Sequence, residues 1–307
     1  MPRGRGVWLW DNSCKIASIE PRLQIPIIAG LGFSYVVPQM GLGVPSWATP
    51  DRVKQFNDAG YQVVLGIGSP GPSYVEPIIK AISIGIDACL RGSYPAVRVM
   101  FDWEGAWDRA RAAAALIAAR LRQRYGVSLL PFMDCPWWAP VEDPQGHPTH
   151  PGAPTQEFGE LCCGERAVQA YGAPVEGRST TMLAWARHEY GTHFPGNEII
   201  PAVQMYKRSV RDHIATTLNE PKSISWDSGE IDKHARVAYL LDVAIQSHPA
   251  YLAARSRGLV VKESIRAMQR ALGVPADGDP AGPSTAGALK VPFPADVLWR
   301  GDWHKAV

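Results

Sequence analysis

The chain has 307 residues, 46% of them hydrophobic and 20% charged, which is the make-up of a globular protein with room for one barrel-sized domain and a small appendage. Its 31 basic and 29 acidic residues leave a net charge of +2 without basic blocks, so no phosphate-tracking surface is expected and nucleic acid is not an expected partner. No apolar run reaches the length of a membrane span and the first residues lack a signal-peptide layout, so the expectation is a chain made in the cytoplasm without an export signal.

Residues 7–10 read as a short apolar strand closed by Asp11, and residues 13–23 as a first helix that Ser13 can cap. A second strand at 32–37 runs up to Pro38 and Gln39. Thr49 before Pro50 supplies a cap and a first-turn proline, so 49–59 is a helix. Residues 62–67 form the third strand, followed by a turn rich in glycine and proline and by an amphipathic helix at 74–90.

The fourth strand is the sharpest feature. Ala96-Val-Arg-Val-Met-Phe-Asp-Trp-Glu-Gly105 is an apolar, β-branched run that ends in two carboxylates, Asp102 and Glu104. Side chains alternate along a strand, so these two share one side at its C-terminal end. An alanine-rich helix at 106–124 follows, then a strand at 127–133 ending in Asp134, then a long proline-rich loop at 135–156 that carries Trp137 and Trp138.

An internal echo marks the next two strands, Ala167-Val-Gln-Ala-Tyr171 and Ala202-Val-Gln-Met-Tyr206. Alternation puts Gln169 with Tyr171 on one face and Gln204 with Tyr206 on one face. Helices are expected at 179–190 and 209–218, an eighth strand at 223–227 containing Trp226 and Asp227, and its helix at 230–246. Eight alternations of strand and helix specify an α/β fold, a (β/α)8 TIM barrel over residues 1–248. Residues 249–307 are left for a linker, a small C-terminal helical subdomain and a tail.

In such a barrel the polar strand ends meet at one mouth, here Asp11, Gln39, Asp102, Glu104, Asp134, Gln169, Tyr171, Gln204, Tyr206 and Asp227. Asp11, Asp134 or Asp227 taken singly can equally be a cap on the helix that follows. Asp102 and Glu104 together suit glycosidic bond cleavage, in which one acid protonates the leaving oxygen and a second carboxylate stabilises the developing cation, attacks it or activates water. Crowding raises the proton affinity of one of them, and a neighbouring ring such as Trp103 or Trp107 adds desolvation. Glu104, with the longer reach, is the candidate acid.

Eleven tryptophans are many for this length, and Trp10, Trp103, Trp137, Trp138 and Trp226 fall beside strand ends, where rings either pack a core or stack on sugar faces. The five cysteines, an odd number at irregular spacing, read as buried thiols. No cofactor or metal is expected: His188 and His193 are spaced by five residues where a zincin helix needs four. The glycines at 66–71 lack the Lys-Ser/Thr of a phosphate loop.

An Asp closing the first strand, an Asp-x-Glu closing the fourth and an aromatic-rich ending with a further Asp resemble the family 25 glycoside hydrolases, which are muramidases. The resemblance implies Glu104 as general acid, Asp102 as its carboxylate partner, Asp11 as a substrate- or water-orienting acid and Asp227 as a late-strand acid. Gln39, Asp134, Trp137, Trp138, Gln169, Tyr171, Gln204, Tyr206 and Trp226 would then line the substrate site.

A second resemblance lies in Val261-Lys-Glu-Ser-Ile-Arg-Ala-Met-Gln-Arg-Ala-Leu-Gly273, the Asp277-Gly278 turn and Gly282-Pro-Ser-Thr285, which look like the small helical peptidoglycan-binding repeat. Gly273 ends its first helix, Asp277-Gly278 turns the chain, and Ser284 or Thr285 caps the next helix. Residues 279–281 are extra, and 291–307 stand where the repeat has a third helix.

Two functions are compatible with these features. One is a hydrolase acting on peptidoglycan or another envelope glycan, as a phage endolysin or a virion-associated enzyme at the cell wall. The other is a non-catalytic phage tail component whose hydrolase-like barrel binds envelope glycan or other tail proteins. The composition also suits a glycosidase for soluble sugars.

Overall fold

The computed structural model describes residues 4–9, 20–40, 49–68, 75–77, 79–80, 83–84, 87, 98–102, 116–117, 119–125, 132–136, 165–169, 187–188, 198–204, 209–226, 233–294 and 297. Eight strands close into a barrel: β1 (Arg5–Leu9), β2 (Phe33–Met40), β3 (Gln62–Gly68), β4 (Arg98–Asp102), β5 (Phe132–Pro136), β6 (Glu165–Gln169), β7 (Glu198–Gln204) and β8 (Ile224–Trp226). Each pairs in parallel with its sequence neighbours, and β8 pairs with β1, so all the C-terminal ends open on one rim. The helices α1 (Pro21–Ile28), α2 (Pro50–Asp58), α3 (Val210–Asn219) and α4 (Lys233–Ser247) connect or follow these strands. Helical residues also occur at 75–77, 79–80, 83–84, 87, 116–117, 119–125 and 187–188.

One buried cluster contains strand residues alone: Trp8, Tyr35, Val37, Val64, Met100, Ala167, Ile200, Ala202 and Ile224. Because it draws on strands all round the barrel and on no helix, it is the barrel's filled interior. Gly6 lies on the same face. A Cβ at Gly6 would collide with the Tyr35 ring at Cε2, so the tyrosine occupies the space that any other residue would need.

A bulge sets this phase. Arg5 pairs with Phe33 but Gly6 pairs with Tyr35, which leaves Ser34 as an extra residue whose hydroxyl donates to the Arg5 carbonyl at 3.2 Å. Phe33 consequently meets Tyr239 of α4 edge-on, with ring centroids 4.8 Å apart, while Tyr35 joins the interior. Arg5, one residue out of phase with Gly6, forms a buried ion pair with Asp242 of α4. Asp242 also accepts from Thr217 of α3 at 3.0 Å and from Gln246 at 2.9 Å, so one carboxylate ties β1, α3 and α4 together.

After the barrel come α5 (Pro249–Ser256), α6 (Val261–Leu272) and α7 (Pro283–Ala288). Their apolar faces have no separate core. Ile265 and Met268 of α6, Tyr251 of α5 and Ala286 of α7 are buried in one cluster with Val210 and Ile214 of α3 and Leu241 and Ile245 of α4.

Some element bounds differ from the sequence reading, each for a local reason. The first described helix begins at Pro21 with Glu20 as its N-cap, and the expected start at Ser13 lies outside the described residues. The first strand starts at Arg5, and Trp10 lies outside the described residues. Strands β2 and β7 run through Pro38 and Pro201, with Leu9 and Val168 as their register partners. A proline inside a ladder removes a single donor, which the flanking pairs outweigh. At the last helix Gly282 is the N-cap and Pro283 opens the first turn, with no side-chain cap, so neither Ser284 nor Thr285 has the capping role expected of them. As expected, Thr49 caps α2, accepting from the Arg52 N–H at 3.4 Å, and Gly273 ends α6 in the left-handed region at φ 70.

Candidate functional site

The interior cluster fixes the phase of the strands, and residues two positions further on lie on the same face. That step leads from Val37 to Gln39, from Met100 to Asp102, from Ala167 to Gln169, from Ala202 to Gln204 and from Ile224 to Trp226. Asp134 joins them through register, as the partner of Asp102 on one side and of Ala167 on the other. Six residues that the sequence marks for substrate or chemistry therefore occupy interior-face positions at or near the C-terminal ends of β2, β4, β5, β6, β7 and β8. They come together because each closes an apolar run that fills the layer beneath.

Glu104, Asp11, Trp137, Trp138, Tyr171, Tyr206 and Asp227 lie outside the described residues. Cys135 falls in β5, and the other four cysteines lie outside the described residues. Among the described residues, no group of three or more His, Cys, Asp or Glu is placed to hold a metal ion.

Between Gln39 and Asp102, β3 carries glycines at the interior-face positions 66 and 68. Gly66 of β3 is the register partner of both Gln39 and Met100, and Gly68 is the partner of Asp102. Bare backbone beside an acid leaves room for a bulky group to approach it. Below, Trp8 is 3% exposed and is the register partner of Trp226. Its indole N–H is buried without a hydrogen-bond partner among the described residues. Attention to tryptophans at strand ends alone misses Trp8. Period two from the mouth position Trp226, carried across one register pair, is the signal that finds it.

A second constellation lies in the turn between α6 and α7, organised by Gln269. Its Nε2 donates to Asp277 Oδ1 at 2.8 Å, to the Asp279 carbonyl at 3.0 Å and to Thr285 Oγ1 at 3.2 Å, while its Oε1 accepts from the Gly278 N–H at 2.8 Å. Asp277 Oδ1 also accepts from the Asp279 N–H at 2.9 Å, and this backbone donor holds the Asp277 carboxyl below the usual carboxylate range. Asp279 Oδ1 accepts from the Ala281 N–H at 3.1 Å, and its Oδ2 lies 3.3 Å from Arg211 Nη2 of α3. The adjacent Met268 and Gln269 thus divide the work: Met268 fills the core and Gln269 fixes the turn.

No protein-family model matches the sequence, and no curated protein matches it. Among solved structures the chain is similar to a chitinase from Bacteroides thetaiotaomicron, at 9% identity over 67% of this chain and 68% of that one, with a TM-score of 0.43. It is similar to octameric ribulose-1,5-bisphosphate carboxylase/oxygenase from Pyrococcus horikoshii OT3, at 10% identity over 88% of this chain and 65% of that one, with a TM-score of 0.47. It is also similar to the spore cortex-lytic enzyme SleL of Bacillus megaterium QM B1551, at 11% identity over 67% of this chain and 52% of that one, with a TM-score of 0.38. At these identities the likeness is one of fold alone, and a fold of this kind hosts many chemistries.

No helix among the described residues is long and apolar enough to cross a membrane.

Proposed function

We propose that the protein is a glycoside hydrolase directed at cell-wall peptidoglycan, with Glu104 as general acid and Asp102 as its carboxylate partner at the barrel mouth. The observation that supports this reading is the register of Asp102 with Asp134 on the interior face of the barrel, beside the bare backbone of Gly66 and Gly68. Glu104 follows Asp102 by two residues, the spacing that shares a strand face. Gln39, Gln169 and Gln204 supply amides for sugar hydroxyls, and Trp226 supplies an indole for a sugar face.

In the proposed reaction the Glu104 carboxyl gives its proton to the glycosidic oxygen as the bond to the anomeric carbon breaks. Asp102 balances the positive charge that develops on the sugar ring, and water supplies the hydroxyl that replaces the leaving group while its remaining proton restores the Glu104 carboxyl. Asp11 is assigned to orienting substrate or water. The direction toward the wall comes from the repeat-like segment at 261–289. Muramidase specificity, and a phage setting as endolysin or virion component, are the finer parts of the same proposal.

The test is dye release from labelled peptidoglycan by the wild type, Glu104→Gln and Asp102→Asn. Wild-type cleavage that falls by about 10²- to 10⁴-fold in Glu104→Gln supports the assignment. Wild-type protein that sediments with several wall types and cleaves none of them overturns it in favour of an adhesive role. The sugar at the newly formed reducing ends reads the bond specificity directly.

A further inference from the structure

Helix α3 of the barrel and the turn after α6 enclose a cleft of about 390 Å³, lined by Arg211 and Ala215 on one side and by Lys262, Asp277, Gly278 and Asp279 on the other. That volume suits a small ligand or a short segment of a larger one. The lining carries both signs of charge. Arg211 and Asp279 already face each other at 3.3 Å. Lys262 is exposed, and no ion pair among the described residues engages it. The hydrogen bonds that Asp277 accepts fall on Oδ1.

The cleft is preformed. Gly278 has φ +80, and a Cβ there would lie 2.9 Å from Lys262 Cγ and 3.3 Å from Arg266 Nε, so the lysine stem packs directly over the glycine. The Gln269 amide holds the Asp277 carboxylate in place, and the Ala281 N–H and Arg211 hold that of Asp279, before any ligand arrives. Two cations in the lining disfavour a metal ion, and two carboxylates disfavour a polyanion such as a phosphate chain. A ligand carrying both signs matches the lining.

We propose that this cleft binds a short zwitterionic peptide, its carboxylate held by Lys262 and Arg211 and its ammonium by Asp277. The proposal rests on the wall-directed reading above, which makes that peptide the stem peptide of peptidoglycan and not the glycan strand. Arg211 belongs to the barrel, so the site is composite, and the repeat-like segment holds only part of it.

The experiment uses the full chain carrying Glu104→Gln, so that the wall is not digested during binding. It is incubated with beads carrying immobilised peptidoglycan and with beads carrying immobilised glycan strands whose peptides an amidase has removed. Intact wall is expected to retain about tenfold more protein than stripped strands, and Lys262→Glu to abolish that difference. Muramyl tripeptide is expected to compete for the intact wall. Arg211→Glu, made in a separate helix, is expected to act like Lys262→Glu, and an unchanged far-ultraviolet spectrum in either variant separates lost binding from lost folding. Equal retention on both materials, or undiminished retention of both folded variants, overturns the proposal. Dye release by the chain with Glu104 intact is scored separately, so a failure of the cleft and a failure of the hydrolase reading give different results.

Discussion

Asp102 of β4 and Asp134 of β5 are direct register partners on the interior face of the barrel. Register partners on one face are adjacent across the ladder, so the two positions are neighbours, and on the reading proposed above they share one site. If they act as a unit, their effects are not additive. Asp102→Asn is expected to lower kcat on labelled peptidoglycan by about 10²-fold or more, Asp134→Asn by less, and the double variant by clearly less than the product of the two. Strictly multiplicative losses in steady-state kinetics would show that the residues act independently.

The buried Arg5–Asp242 pair makes a prediction about stability. The two side chains are only 4% and 2% exposed, and Thr217 and Gln246 direct further donors at the same carboxylate. Asp242→Ala strands a buried guanidinium and is expected to cost about 3–5 kcal/mol in urea unfolding. Replacing both partners, Arg5→Met with Asp242→Leu, is expected to cost less than the single change, because no unpaired charge remains. A double variant at least as unstable as Asp242→Ala would contradict this.

Gly6 predicts a defect in packing. Adding one methyl drives it into the Tyr35 ring, in an interior already filled by Val37, Trp8 and Ile224. Gly6→Ala is expected to destabilise the barrel by about 1–3 kcal/mol. Adding Tyr35→Leu removes the ring atoms that collide, so the double variant should recover part of the loss relative to the sum of the singles. Thermal melts of the four proteins in that cycle decide the matter.

The turn at Asp277 predicts a dependence on pH. Its folded carboxyl is held low, chiefly by the Asp279 N–H, so its contribution to stability is fully present above the unfolded aspartate value of about 3.9. That contribution is lost as pH falls through the lower folded value. Hydrogen exchange at the amides of Gly278 and Asp279 should therefore gain protection less steeply with rising pH, across that acidic window, in Asp277→Asn than in the wild type, once intrinsic exchange rates are divided out. Identical profiles would mean that the ionised form contributes nothing to the turn.

The barrel is legible in the sequence because its strands are apolar runs that stop at polar residues and its helices carry amphipathic or alanine-rich patterns. The same rule locates Gln39, Asp102, Asp134, Gln169, Gln204 and Trp226, each of which closes such a run. What escapes it depends on contacts between distant segments. The bulge at Ser34 is defined only by how β2 lies against β1, and nothing local in Phe33-Ser-Tyr35 announces it. Prolines mislead in both directions: Pro201 makes β7 look shorter than it is, and Pro21, which starts α1, looks like helix interior. Gln269 is visible as part of a repeat-like pair, yet its four-way bonding needs the turn folded back upon α6.

The core shared by α3, α4, α5, α6 and α7 has a consequence for how the two ends of the molecule cooperate. Helix α4 ends at Ser247 and α5 begins at Pro249, with His248 between them accepting from the Ala250 N–H at 3.2 Å, so no slack chain separates the barrel from the C-terminal helices. The segment is a ruler and not a leash. On the reading proposed above, a stem peptide held at Asp277 would keep its glycan strand at one fixed distance from the mouth, and the wall would be cut at a set interval from each point of capture, a regularity that the length distribution of released fragments would record.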